Sequence, residues 1–324
     1  MSRPAPSDHT TVADSDGRFR RADSSFRSLV SSAPGSRFPP EADRYVLYIN
    51  LGCPWAARAN VVRSLKGLQD IIQLVVMSYE LTPQGWIYNG VDGTEPKDPL
   101  YGFTKHRELY LKADPEYKGR YTVPTLWDRR EETIVSNESS EIIRMFYSAF
   151  DELLPEERRE VNRPGGGLLP EKLKGEIEKF NEWTYHDINN GVYKTGFATA
   201  QEAYEENLET LFAGLRRAEE QLADGRKFLF GEHITEADIR LFPTIVRFDP
   251  AYHTLFRCNL GMIRTDFPHI HGWLRRVYWD ETDETRGAFR ETTNFDHIKK
   301  GYTRASKNPV VPKGPLPHIL PLNA

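Results

Sequence analysis

From Arg44 the chain reads Arg-Tyr-Val-Leu-Tyr-Ile-Asn50, an unbroken apolar and aromatic run between two polar residues. Such a run predicts a strand covered on both faces. The segment 54–67 predicts a helix. Pro54 suits its first turn, Ala56, Ala57 and Ala59 favour helix, and Gly67 suits its end. Ile71-Ile-Gln-Leu-Val-Val-Met77 predicts a second buried strand, so the opening is β-α-β with a parallel pair and a crossover helix. Residues 80–120 break the pattern, being polar, aromatic and studded with Pro and Gly; a loop that long inside a domain is usually functional. Thr122–Trp127 and Thr133–Val135 then predict two short strands joined by the charged turn 128–132. Asn137–Tyr147 predicts a helix that opens on hydroxyl and carboxylate groups.

Strand, helix, strand, long insert, strand, strand, helix is the thioredoxin-like order. Beyond a Pro/Gly linker over 155–170 the periodicity is helical throughout. Leu173, Ile177, Phe180, Thr184 and Ile188 fall on one face, as do Tyr204, Leu208, Leu211, Leu215, Ala218 and Leu222. Thr235-Glu-Ala-Asp238 is a capping box ahead of a helix over 239–248, and 267–278 predicts one more amphipathic helix. The expected fold class is therefore an α/β thioredoxin-like N-terminal domain followed by an all-α C-terminal domain. The expected organisation is an N-terminal arm over 1–43, with 1–17 disordered, and a thioredoxin-like domain over 44–154 with its insert at 80–120. A helical domain over 155–300 and a tail over 301–324 complete it.

Bulk composition narrows the function. With 43 Lys and Arg against 47 Asp and Glu, net charge is −4, which argues against a nucleic-acid partner. No apolar run approaches the ~20 residues that span a bilayer, and the N-terminus has no apolar signal core, so neither a membrane nor a secretory role is expected. Two cysteines, Cys53 and Cys258, make no disulfide framework, and a reducing, cytoplasmic compartment is the expectation. Cys258 and His253 have no further ligand pattern around them, so no metal is expected.

Cys53 is the chemical candidate. A thiol at a helix N-terminus sits at the positive end of the macrodipole, among backbone N–H groups that stabilise its thiolate. Both effects lower a thiol pKa from about 8.5 toward neutrality or below. Arg58, one turn on, adds positive charge. The alternative is a buried small hydrophobe, the usual fate of a lone cysteine; the proline, the helix start and the fold order favour a nucleophile. In Cys53-Pro-Trp-Ala56 the second cysteine of a dithiol oxidoreductase is missing, so a resolving thiol has to come from outside, and glutathione is the abundant candidate. In a thioredoxin-like order Val123-Pro124 stands where a cis-proline faces the nucleophile, although a trans proline at a strand start reads the same way in sequence. Glu138-Ser139 combines an acceptor for an ammonium with helix-start donors for a carboxylate, the two groups of a γ-glutamyl end; plain capping is the alternative.

The chain resembles the glutathionyl-hydroquinone reductases, the xi class of glutathione transferases, over roughly residues 18–310. The resemblance is carried by Phe19-Arg-Arg with Ser25-Phe-Arg, Cys53-Pro-Trp-Ala, Tyr110-Leu-Lys-Ala-Asp-Pro, Thr122-Val-Pro-Thr-Leu-Trp-Asp, Asn137-Glu-Ser-Ser-Glu-Ile-Ile-Arg and Thr235-Glu-Ala-Asp-Ile-Arg-Leu-Phe-Pro-Thr. It implies Cys53 as nucleophile, Trp86 packed on glutathione, Arg120 paired with a glutathione carboxylate, and Val123 bonding through its backbone beside Pro124. It implies Glu138 and Ser139 at the γ-glutamyl end, and Tyr193, Tyr252 and Tyr302 around an aromatic substrate. It also implies a homodimer, with glutathione as co-substrate and glutathionylated hydroquinones as substrates. Ala57 departs from the pattern, where relatives often carry His or Cys; that position lies outside the expected chemistry. The competing expectations are an omega-like thioltransferase or dehydroascorbate reductase, which the long insert and the tyrosines disfavour, and a non-catalytic binding module of the same fold, which need not keep a reactive thiol. A conjugating transferase of serine or tyrosine type is disfavoured by the cysteine at position 53.

Overall fold

The predicted strand at 44–50 is the centre of a four-stranded sheet in a computed structural model that describes residues 13–306 and 309–322. The expectation of disorder over residues 1–17 falls, for 1–12, outside the described residues; residues 13–17 instead form a turn, with Ala13 bridging Phe19 and the Asp14 N–H donating 2.8 Å to the Arg18 carbonyl. Elements run in the order β1 (Tyr45–Ile49), α1 (Pro54–Leu65), β2 (Ile72–Val76), β3 (Leu81–Thr82), β4 (Gly85–Trp86), α2 (His106–Ala113), β5 (Thr125–Asp128), β6 (Thr133–Ser136) and α3 (Ser139–Ser148). The sheet order is β2-β1-β5-β6. β1 runs parallel to β2, with Leu47 opposite Leu74, and antiparallel to β5, with Leu47 opposite Leu126. All five β1 residues are buried, as an uninterrupted apolar run requires of a central strand. α1 packs against α3. Gly67 takes φ +73 just past α1, and the Leu68 N–H returns 2.8 Å to the Arg63 carbonyl, a left-handed helix stop that suits glycine.

The insert is more ordered than its composition implies. Its first part is the small β3–β4 hairpin, and its second contains α2, whose Leu109 and Tyr110 are buried. Glu108 starts α2 by accepting from the Thr104 and Lys105 N–H groups at 3.0 and 2.9 Å. Two buried apolar residues in eight are too few to print a helical period, which is why this helix reads as loop in the sequence.

The helical region comprises α4 (Lys174–Thr184), α5 (Gly191–Gly196), α6 (Gln201–Gln221), α7 (Glu236–Arg247), α8 (His253–Leu255), α9 (Ile263–Asp266), α10 (Pro268–Trp279), α11 (Ala288–Glu291) and α12 (Phe295–Ala305). Most of each expected face is buried: Ile177, Phe180, Thr184 and Ile188 along α4 and its continuation, and Leu208, Leu211, Leu215, Ala218 and Leu222 along α6. Leu173 and Tyr204, at the N-terminal ends of the two faces, are only half-buried. Wide π turns over Tyr185–Asn189 and Phe248–Tyr252 interrupt the helical path. No helix among the described residues is long and apolar enough to cross a membrane.

The chain forms two compact units. One is Asp23–Arg159 joined by Asp296–Ala305, most of α12. The other holds the stretch ending at Ala22, Glu160–Phe295 and the chain beyond Ala305.

Candidate active site

Cys53 is the N-cap of α1, in extended geometry at φ −76 and ψ 122, with Pro54 at the first helical position. The turn that delivers it is built by Asn50, a buried residue. The Asn50 carbonyl accepts from the Cys53 N–H at 3.1 Å, and its side-chain Oδ1 accepts from the Gly52 N–H at 2.8 Å. Asn50 Nδ2 donates to the Ser78 carbonyl, two residues past β2. The Ser78 N–H in turn donates 3.1 Å to the Ile87 carbonyl, so the turn carrying Cys53 and the hairpin carrying Trp86 hang on one chain of hydrogen bonds. A Cβ on Gly52 would lie 2.9 Å from Asn50 Oδ1 and 3.2 Å from the His297 carbonyl oxygen of α12, which leaves little room for any side chain. α12 is itself fixed to the insert: His297 Nε2 lies 3.0 Å from the Asp92 carbonyl, and Lys300 Nζ lies 2.7 Å from Asp92 Oδ2.

Facing the thiol, Cys53 Sγ lies 3.6 Å from the Val123 carbonyl oxygen, and the Val123–Pro124 bond is cis. The S–H is a weak donor, so this contact favours the protonated resting form only slightly, while the start of α1 favours the anion. The Val123 turn is held by α2. Tyr110 Oη donates 2.9 Å to the Thr122 carbonyl, and Thr125 Oγ1 donates to the same oxygen at 2.8 Å. His106 Nε2 lies 2.9 Å from Thr125 Oγ1. Burial pushes the His106 imidazole down to about 3, only partly opposed by a backbone hydrogen bond at Thr122, so this ring is a neutral structural partner near pH 7.

Glu138 is the N-cap of α3. Its Oε1 accepts from the Ser140 N–H at 3.0 Å and the Ser140 hydroxyl at 2.8 Å. Burial works to raise its pKa, but those two bonds, the Ser24 hydroxyl and the Arg58 charge outweigh it and hold the carboxyl below the ordinary glutamate value. A partly buried acid that stays ionised suits capture of an ammonium. Ser139, buried, is the first residue of α3, where helix-start N–H groups favour an anion. Arg58, in the second turn of α1 and stacked 4.5 Å over the Trp55 ring, is close enough for its charge to act on Glu138.

Trp86 lies in β4, opposite Leu81, half-buried, and the neighbouring Gly85 backs onto Tyr121. The Arg120 carbonyl accepts from Tyr117 Oη at 3.0 Å. Tyr302 lies in α12, five positions beyond His297, and is buried. The unit of the thioredoxin-like sheet thus contains Cys53, Trp86, Arg120, Val123, Pro124, Glu138, Ser139 and Tyr302. Tyr193 and Tyr252 belong to the helical unit, their rings 6.2 Å apart in a cluster with Phe19, Phe197 and Phe256. Arg21 sits 5.2 Å over Tyr193 and donates 2.8 Å to Asn190 Oδ1. Asn50, His106, Tyr110, Tyr117 and Asn137 support the site although the sequence does not single them out; Tyr110 and Asn137 stand within family-like motifs, while the others carry no local signal.

The second cysteine provides an internal control. Cys258 is fully buried, and burial pushes its thiol well up despite the Arg257 charge. At pH 7 iodoacetamide is expected to modify Cys53 at least tenfold faster than Cys258, read by peptide mass spectrometry. Equal rates would remove the argument for an activated thiol.

Comparison with known proteins agrees with this architecture. Residues 52–149 match the glutathione S-transferase N-terminal domain and 201–276 the glutathione S-transferase C-terminal domain. Glutathione S-transferase omega-like 2 of Schizosaccharomyces pombe is 46% identical over 96% of this chain and 97% of its own. Glutathionyl-hydroquinone reductase YqjG of Escherichia coli is 43% identical over 90% of this chain and 86% of its own. Its glutathione-bound structure superposes with a TM-score of 0.82 at 39% identity, covering 96% of this chain and 97% of that one. The crystal structure of the Xi glutathione S-transferase from Phanerochaete chrysosporium superposes with a TM-score of 0.88 at 46% identity, covering 97% and 99%.

Proposed function

For a chain that belongs to the glutathione transferases, and within them to the xi class, we propose reductive removal of glutathione from S-glutathionyl-hydroquinones, with Cys53 as nucleophile. The observation that carries this reading is the lone thiol at the start of α1, 3.6 Å from the Val123 carbonyl, with Ala56 where a dithiol enzyme has its resolving cysteine. Cys258, buried among the C-terminal helices, does not replace it.

In the proposed cycle the Cys53 thiolate attacks the glutathione sulfur of the aryl thioether. The S–S bond of a Cys53–glutathione mixed disulfide forms, the aryl C–S bond breaks, and the ring carbon takes the electron pair and a proton. A second glutathione thiolate then attacks the mixed disulfide, releasing oxidised glutathione and the Cys53 thiolate. The net reaction consumes one glutathione and one thioether and yields hydroquinone and oxidised glutathione by a ping-pong course. A carbanion is a poor leaving group, so the ring oxygens need hydrogen-bonding partners while charge develops; Tyr193, Tyr252 and Tyr302 are proposed for that task. Glu138 and Ser139 are proposed for the γ-glutamyl end, Arg120 for a second carboxylate, Trp86 for packing and Val123 for backbone bonds beside Pro124. The protein is proposed to act as a cytoplasmic homodimer, which sedimentation and fractionation check.

The test incubates the protein with a glutathionyl-hydroquinone and excess glutathione, tracking free hydroquinone and oxidised glutathione together. Release of both in equal amounts is expected. Reduction of dehydroascorbate or a mixed disulfide without ring release would favour the omega-like activity, and failure to trap glutathione on Cys53 would favour a binding module.

A further inference from the structure

The sheet ends on β6, yet that edge is not open. The arm between Ser24 and Ser28 runs antiparallel along it. Arg27 bridges Ser136, the Ser28 N–H donates 2.9 Å to the Val135 carbonyl, and the Asn137 N–H donates 3.1 Å to the Phe26 carbonyl. The Phe26 N–H donates 3.1 Å to Asn137 Oδ1, and Arg27 pairs with Glu141 in the first turn of α3. This is a fifth, edge-covering segment, registered by backbone bonds.

Its position places a hydroxyl at one end of the proposed glutathione site and an aromatic ring at the other. Ser24 Oγ lies 3.0 Å from Glu138 Oε2 and 3.2 Å from the Asn137 carbonyl oxygen. Ser140 holds the other carboxylate oxygen, so Ser24 acts on the opposite side of the group and helps to set its rotation. An ionised carboxylate has about four acceptor positions, so the three bonds from Ser140 and Ser24 leave room for an ammonium donor. At the other end, Phe26 packs on Tyr110 and Tyr117, ring centroids 5.8 and 5.5 Å away, and Tyr117 bonds the Arg120 carbonyl.

We propose that the N-terminal arm is a working part of the glutathione site, with Ser24 a positioning residue that aims the Glu138 carboxylate at the amino group of the γ-glutamyl end. This rests on the reading of Glu138 as that group's partner. Ser24 touches no reacting atom, so its effect falls on binding of both glutathione-bearing reactants and not on the sulfur chemistry.

The experiment compares Ser24→Ala, Ser24→Thr and Glu138→Gln with the unaltered full chain, measuring steady-state kinetics and the Kd of glutathione by calorimetry. One hydrogen bond to a charged group is worth about 1.5 kcal/mol, roughly tenfold in affinity. Ser24→Ala is therefore expected to raise Kd and both KM values roughly 5- to 10-fold. Its kcat and the alkylation rate of Cys53 should stay within about twofold, and Ser24→Thr, which keeps the hydroxyl, should restore binding. A general loss of structure would lower kcat and alter alkylation as well. Wild-type binding in Ser24→Ala alongside impaired binding in Glu138→Gln overturns the role of the arm and leaves the site intact. Tighter binding in Ser24→Ala also overturns it, because the hydroxyl would then be a competitor. Wild-type binding in Glu138→Gln overturns the reading of Glu138 itself, and the proposal with it.

Discussion

Cys53→Ser is expected to lower turnover of a glutathionyl-hydroquinone by at least about a thousandfold, some 4 kcal/mol of barrier, while glutathione still binds with near wild-type affinity. The exchange replaces one atom and leaves the turn untouched, since Asn50 holds it through backbone groups of Gly52 and Cys53 that serine also presents. What changes is the nucleophile. A thiolate is reachable near pH 7 at a helix start, whereas an alkoxide is not, and only sulfur forms the mixed disulfide that a second glutathione can cleave. Mass spectrometry after exposure to oxidised glutathione provides the companion measurement. The unaltered protein should gain one glutathionyl group on Cys53, and the variant none. Full activity in Cys53→Ser would reject the proposed cycle. Lost activity together with lost glutathione binding would mean that position 53 builds the site and need not be its nucleophile.

How much of this is legible in sequence depends on how local each signal is. The start of α1 is encoded within a few residues: a strand, a cysteine, a proline, then helix formers. Its place is legible to the residue. The apolar strands are legible to within one to three residues at their ends, because burial on both faces leaves a continuous run. The capping box Thr235–Asp238 is likewise readable from spacing alone, and the structure has both halves of it. What escapes is what long-range packing decides. Ser24 meets Glu138 across 114 positions, and His297 meets Asp92 across 205. Nothing near Ser24 or Asp92 in the chain announces either contact. Asn50 looks like the polar end of a strand, and only the fold brings the Ser78 carbonyl to its amide. The π turns at Tyr185–Asn189 and Phe248–Tyr252 are invisible for a related reason, since one residue of extra winding barely disturbs a helical period yet redirects the next stretch of helix.

Asp238→Ala is expected to cost the helical unit at least about 4 kcal/mol, judged from the donors it strands. Asp238 is fully buried. Its Oδ2 accepts from the Thr235 N–H at 3.0 Å and the Thr235 hydroxyl at 3.1 Å, closing the start of α7. Its Oδ1 accepts from the Leu229 N–H at 3.0 Å and from Trp273 Nε1 of α10 at 2.9 Å. One carboxylate therefore ties the loop ahead of α7, the first turn of α7 and a buried tryptophan on α10. Alanine leaves these donors without an acceptor in a place water does not reach, at about 1–3 kcal/mol each, and removes the helix cap besides. Against a domain stability of about 5–15 kcal/mol that is a large share. The loss should appear as a lower urea midpoint, and on the function side as disorder at Tyr252, because α7 runs directly into the π turn that ends on that ring. Asp238→Asn keeps one acceptor oxygen and should lose roughly half as much. A midpoint shift worth less than about 1 kcal/mol in Asp238→Ala would mean that the unit stands without this junction. The placement of Tyr252 would then have to come from the surrounding rings of Tyr193 and Phe256.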